Sequence, residues 1–213
     1  MNKYLTELLG TFFLVLTIGC NVLQGNPMAP LAIGAVLMVM IYAGGHISGA
    51  HFNPAVTLGV TLRGKCTPHD AIAYILFQVL GGVGAILTAQ YLCSGVLAPA
   101  GPDKPFLVGP AFVAELLFTF ALVWVILNSA TSKGTANNSF YGLAIGFTVL
   151  AGAFSVGGIS GGAFNPAVAI AATVGGLKPF AWSTVWVHIV ADFLGGALAA
   201  FAFKALSTED AGK

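Results

Sequence analysis

The sequence predicts an all-α membrane protein: six transmembrane helices plus two re-entrant half-helices, arranged as an inverted repeat. Three observations carry this prediction. The composition is too apolar and too sparsely charged for a surface facing water, six apolar runs approach the length that crosses a bilayer, and one eleven-residue motif occurs twice.

Of the 213 residues, 57% are apolar and 7% are charged, against about 25% charged in an ordinary soluble domain. Lys and Arg number eight, Asp and Glu seven, and the net charge of +1 offers neither a basic stripe for nucleic acid nor an acidic tail. Cys20, Cys66 and Cys93 lie far apart in the chain with no CxxC spacing. They suggest neither a zinc site nor a disulfide framework and read as small apolar fillers. No metal or other cofactor is expected.

The spanning runs are residues 4–22, 29–44, 69–92, 111–129, 140–156 and 180–206, each near the roughly 20 residues a bilayer requires. The first superficially imitates a signal peptide, because Lys3 precedes an apolar run and Thr17-Ile18-Gly19-Cys20 resembles a lipoprotein cleavage site. Glu7 interrupts that run and the next apolar stretch follows at once, so it is read as the first spanning helix. Gly- and Pro-containing connections at 25–27, 63–68, 98–105, 131–138 and 175–179 separate the runs. Residues 53–62 and 165–174 are apolar but too short to span, and are expected as half-helices.

Lys3, Arg63, Lys65, Lys133, Lys204 and Lys213 sort to the side of the N-terminus, with Lys104 and Lys178 opposite. The bias of basic residues then places both termini in the cytoplasm of a multi-pass protein. Short loops fit a plasma or bacterial inner membrane.

His46–Val56 and 158–168 share eight of eleven residues at an offset of 112. Glu7-Leu8-Leu9 recurs as Glu115-Leu116-Leu117, and Gln78-Val79-Leu80-Gly81-Gly82 as Asp192-Phe193-Leu194-Gly195-Gly196. One membrane domain, 1–213, therefore holds repeat one at about 4–93 and repeat two at about 111–206. Each repeat has three spanning helices, an odd number, so the second enters from the opposite face.

Asn is a strong N-cap and Pro suits the first helical position, so Asn53-Pro54-Ala55 and Asn165-Pro166-Ala167 each start a helix. Backbone can enter the membrane at Ser48-Gly49-Ala50 and Ser160-Gly161-Gly162 only where it lines a wet cavity or is buried. A ten-residue helix is about 15 Å long, so two from opposite faces cover about 30 Å and their N-termini meet at mid-membrane. Each end carries about half a positive charge, which repels cations, while Asn53 and Asn165 can donate hydrogen bonds to a passing oxygen.

His46-Ile47-Ser48-Gly49-Ala50-His51-Phe52-Asn53-Pro54-Ala55-Val56-Thr57-Leu58-Gly59 resembles the first pore loop of the aquaporin and aquaglyceroporin family, and Gly161-Gly162-Ala163-Phe164-Asn165-Pro166-Ala167 its second. The resemblance spans all six runs and both half-helices. It implies a homotetramer with one pore per subunit, conducting water and small neutral solutes through the lipid bilayer.

Family pores have a four-residue constriction near the outer mouth. Carried over by its spacing from the two Asn residues, it falls on Ile33, Ala153, Gly162 and Val168, the last of which is normally Arg. The expected filter is apolar and wide, which points to solutes larger than water, such as glycerol, urea or metalloid hydroxides such as arsenite.

Glu7 and Glu115 lie in spanning segments, where an ionisable group suggests function. They are expected to anchor the backbone of a re-entrant loop rather than relay protons. Gln78 and Asp192 read as interhelical hydrogen-bonders, and His188 as a packing residue. His46 and His51 flank the first turn and are expected to brace it, with a pH gate as the sharper reading. Phe52 and Phe164 either narrow the pore centre or pack against helices. Gly142 and Gly146, with Gly81, Gly82, Gly195 and Gly196, allow close helix crossings.

No nucleophile, base and orienting residue fall together, so an enzyme is not expected. An ion-coupled secondary transporter would need a coupling-ion site at mid-membrane, where Asn, Pro, Ala and Phe stand instead. A non-conducting structural membrane protein is the third reading.

Overall fold

The computed structural model describes residues 1–97 and 105–207, and every regular element among them is helical. In chain order they are α1 (Asn2–Leu23), α2 (Ala29–Ser48), α3 (Pro54–Leu62), α4 (Pro68–Leu92), α5 (Val108–Ile126), α6 (Tyr141–Ser160), α7 (Pro166–Val174) and α8 (Val185–Leu206). A single π turn, Leu127–Thr131, prolongs α5. Six helices are long and apolar enough to span a membrane, whereas α3 and α7 have nine residues each. The expected connection at 98–105 lies mostly outside the described residues, as do Lys104 and Lys213 of the charge-sorting argument.

The element ends follow local chemistry. Pro68 opens α4 behind Thr67, whose side chain accepts the Asp70 N–H at 3.1 Å. α2 and α6 run past their expected ends at 44 and 156 and stop at Gly49 and Gly161, which take the left-handed conformation at φ 87° and 98°. α8 begins at Val185 rather than at 180. Pro179 cannot continue a helix upstream, and the Phe180 ring is used elsewhere: a Cβ on Gly161 would stand 2.6 Å from its tip.

The two repeats pack alike. α1 pairs with α4 and α5 with α8, while α2 meets α6 at the centre of the molecule. α3 lies chiefly against α8 and α7 chiefly against α4, so each half-helix rests on the last helix of the other repeat. Small residues permit this. A Cβ on Gly195 would come 2.5 Å from the Leu116 carbonyl oxygen, its repeat mate Gly81 faces the Leu8 carbonyl in the same way, and Gly34 and Gly146 face each other across the α2–α6 crossing.

Burial is inverted relative to a soluble protein. Leu5, Leu9 and Phe13 on α1 and Leu76, Leu80 and Leu87 on α4 are exposed at helical spacing, whereas Glu7, Gln78, Glu115, His188 and Asp192 are fully buried. Such a surface suits hydrocarbon, and the polar groups it hides need partners within the bundle. Lys3 Nζ sits 2.8 Å from Asp70 Oδ2 and the Tyr4 hydroxyl donates to Asp70 Oδ1 at 2.8 Å, tying the starts of α1 and α4 on one face.

Candidate functional site

The two Asn-Pro-Ala turns meet inside the bundle. Asn53 caps α3, its Oδ1 accepting the N–H groups of Ala55 at 2.8 Å and Val56 at 3.4 Å. Asn165 caps α7 in the same way, through Ala167 at 3.0 Å and Val168 at 3.4 Å. The amide nitrogens do something that composition does not reveal. Asn53 Nδ2 donates to the Phe164 carbonyl at 2.8 Å, and Asn165 Nδ2 to the Phe52 carbonyl at 2.9 Å. Each primary amide has two N–H groups, so one fixes the opposite loop and the second is left for a passing acceptor.

The crossing depends on strained backbone. Ala50, Phe52 and Phe164 hold φ of 51°, 50° and 47°, conformations that non-glycine residues enter at a cost of order 1–3 kcal/mol each. Two carboxylates hold them there. Glu7 Oε1 accepts the Ser48 hydroxyl at 2.6 Å and the His51 N–H at 3.0 Å, while Oε2 accepts the Phe52 N–H at 2.7 Å and Gln78 Nε2 at 2.8 Å. Glu115 repeats the pattern with Ser160 at 2.5 Å, Ala163 N–H at 3.0 Å and Phe164 N–H at 2.6 Å. Hydrogen bonds to a charged acceptor contribute about 1.5–3 kcal/mol each, enough to offset the strain.

Two supporting residues escaped sequence reasoning. The Tyr74 hydroxyl donates to the Ser48 carbonyl at 2.7 Å, and His188 Nε2–H donates to the Ser160 carbonyl at 2.8 Å. They are repeat mates, each four residues before Gln78 or Asp192. The shared position was visible, but Tyr and His share no chemistry that would flag it. Beyond this point the repeats diverge. Gln78 brings N–H donors to Glu7 and Thr57, whereas Asp192 stands beside Glu115 and takes its own bond from the Thr119 hydroxyl at 3.0 Å.

His51 and His46 separate in role. The Thr57 hydroxyl donates to the Asn53 carbonyl at 2.9 Å, so in the 3.1 Å contact with His51 the ring Nδ1 is the donor. With the Tyr74 ring edge-on at 5.1 Å, His51 is fixed in the first loop. His46 lies exposed in the last turn of α2, and among the described residues it makes no hydrogen bond to that loop. Of the two histidines, His51 is the one that contacts Thr57 and Tyr74. Phe52 and Phe164 are each 1% exposed. Their rings fill notches where a Cβ on Gly10 or Gly152 would overlap them, which is the packing alternative, though both also border the cavity below.

A cavity of about 310 Å³ contains both Asn side chains and is also lined by Ile33, Ala153, Gly162 and Val168. A second, of about 450 Å³, is lined by His46, Lys65 and Asn138 among others. Ile41, Ala50, His51, Val56, Ile126 and Ile145 border both, so the two adjoin through an apolar ring beside His51. One water needs only about 10–15 Å³ of such volume. The polar side chains lining the first cavity are His51, Asn53, Asn165 and Lys178, and its other lining residues bring apolar side chains or none.

The family model described as Major intrinsic protein matches residues 1–203. Glycerol uptake facilitator protein-like 6 of Lactiplantibacillus plantarum is 38% identical over 220 residues, covering 99% of this chain and 100% of that protein. Aquaporin NIP1-4 of Oryza sativa subsp. japonica is 33% identical, over 96% of this chain and 76% of its own. Among solved structures, the aquaglyceroporin from Plasmodium falciparum superposes with a TM-score of 0.84 at 22% identity, covering 98% of this chain and 97% of that one, a likeness of fold.

Proposed function

Because the chain belongs to the major intrinsic protein family, we propose that its pore admits neutral solutes larger than water, such as glycerol, urea or metalloid hydroxides such as arsenite, alongside water itself. Members of this family are passive channels for water and small solutes and not enzymes, and six apolar helices make this one a multi-pass membrane protein. The finer reading rests on one observation. The four residues at the positions of the family constriction, Ile33, Ala153, Gly162 and Val168, border the cavity that Asn53 and Asn165 also line, without contributing a polar side chain.

An Arg at such a constriction narrows it and supplies a fixed charge and a fork of donors. Val168 does neither. Ion exclusion then rests on the pair of helix N-termini capped by Asn53 and Asn165, whose partial positive charges face the same space, together with Lys178 on the cavity wall. On this reading the repeats at 4–93 and 111–206 form one pore, both termini face the cytoplasm, and four copies assemble as a homotetramer.

Stopped-flow swelling of proteoliposomes against water, glycerol, urea and arsenite tests the proposal. Uptake of the larger solutes that is linear in concentration and indifferent to proton or sodium gradients is expected. Saturable, gradient-dependent uptake would mark an ion-coupled transporter instead, and absent swelling with confirmed insertion a structural role.

A further inference from the structure

The three cysteines are distant in the sequence, but α1 and α4 bring two of them together. Cys20 lies in the last turn of α1, and Cys93 caps the C-terminus of α4. The helices touch closely there: a Cβ on Gly19 would stand 2.6 Å from the Ala89 Cβ and 2.9 Å from Ile86 Cδ1. In consequence the Cys93 thiol donates to the Cys20 carbonyl at 3.9 Å, which brings the two cysteines side by side across the seam. Gln24 adds a donor, its Nε2 reaching Cys93 Sγ at 3.8 Å and the Cys20 carbonyl at 2.8 Å. Cys93 is buried and Cys20 half-buried, so the pair is approached from the Cys20 side.

We propose that Cys20 and Cys93 form a two-thiol site that captures a trivalent arsenic centre. The chemistry does not depend on which solute crosses the pore. Arsenic trihydroxide reacts with two thiols by breaking two As–O bonds and forming two As–S bonds. Each thiol proton leaves with one hydroxide as water, arsenic stays trivalent, and no oxidant or reductant is needed. Soft sulfur ligands select soft centres. Among the described residues no group of three His, Cys, Asp or Glu side chains gathers anywhere, so a four-coordinate zinc site lacks ligands. Reactants and product are all uncharged, which suits an apolar helix seam where a bare cation would be costly.

The site lies outside the pore. Ile18 and Val22, on either side of Cys20 in sequence, line the first cavity, whereas Cys20 does not border it and turns to α4. Bridging the sulfurs would clamp α1 to α4 and fix the wall that α1 gives to that cavity.

Phenylarsine oxide is the probe, applied to the full chain in detergent micelles. One arsenical per chain is expected, with the half-buried Cys20 protected from maleimide and Cys66 still labelled. A dithiol should release the arsenical, and a monothiol at equal thiol concentration should not. Peptide mapping should find arsenic joining the Cys20 and Cys93 peptides. Cys20→Ser and Cys93→Ser should each weaken capture by more than about tenfold, because a second sulfur held in place acts at high effective concentration. Maleimide labelling of Cys20 undiminished after treatment, or capture unchanged in either variant, overturns the proposal. Should a variant fail to fold, mapping of the unaltered protein decides alone. No flux is measured, so this outcome is separate from that of the pore.

Discussion

Gln78 and Asp192 occupy equivalent places beneath the two re-entrant loops, yet Gln78 donates an N–H to Glu7 at 2.8 Å while Asp192 sets a second carboxyl beside Glu115. Two carboxyl groups can bond each other only with a proton on one of them. Gln78 Oε1 and Asp192 Oδ2 both lack a hydrogen-bond partner among the described residues, so the two supports differ in donors: Gln78 gives N–H bonds to Glu7 and Thr57, whereas Asp192 accepts one from Thr119.

Asp192→Asn supplies the missing donors at nearly constant volume. It should stabilise the protein by about 1 kcal/mol, the usual net worth of one added hydrogen bond. A thermal melt in detergent should show an unchanged or higher midpoint with flux retained. A clearly lower midpoint would show that the carboxyl itself is required.

Glu115→Ala leaves the Ala163 and Phe164 N–H groups buried without an acceptor. Each orphan costs about 1–3 kcal/mol, and Phe164 has a positive φ to maintain as well. Glycerol and water flux per folded chain should both collapse, and Glu115→Gln, which keeps one acceptor oxygen, should lose less. Equal flux in wild type and Glu115→Ala would remove the carboxylate from the account of the loop.

Asn53→Asp retains the α3 cap but cannot donate to the Phe164 carbonyl. It also places a negative charge between two helix N-termini. Proteoliposomes loaded with a pH-sensitive dye should show proton leak above wild type and lower glycerol flux. Unaltered behaviour in both assays would mean that the bond between loops is dispensable.

Val168→Arg returns a charged fork to the wall of the first cavity. Swelling rates should fall by at least about tenfold for glycerol, a barrier of about 1.4 kcal/mol, and much less for water. If glycerol and arsenite uptake are unchanged, Val168 does not face the constriction.

The half-helices were legible because their chemistry is local: Asn caps and Pro starts α3 and α7 whatever surrounds them. Counting helices in the repeat was enough to invert its second copy. The bonds from Asn53 to Phe164 and from Asn165 to Phe52 were not legible, since they join residues 111 and 113 positions apart and need both Phe residues at positive φ to aim their carbonyls. Tyr74 and His188 were hidden by their different chemistry. Reading the cysteines as fillers missed the Cys20–Cys93 contact, which a glycine-permitted crossing creates rather than any motif. The start of α8 was placed too early because Phe180 is as apolar as a helix residue but is used to support Gly161.

The reciprocal bonds between the Asn turns also bear on how the molecule is made. The first turn cannot be completed by the first half of the chain, because its acceptor, the Phe164 carbonyl, is synthesised more than a hundred residues after Asn53. Until α7 arrives, the nascent first half carries an uncrossed loop and an open slot, and a half-length chain could close that slot only by pairing with an inverted twin. A chain stopped before Phe164 cannot form this bond, so the crossing of the two turns is a property of both repeats together.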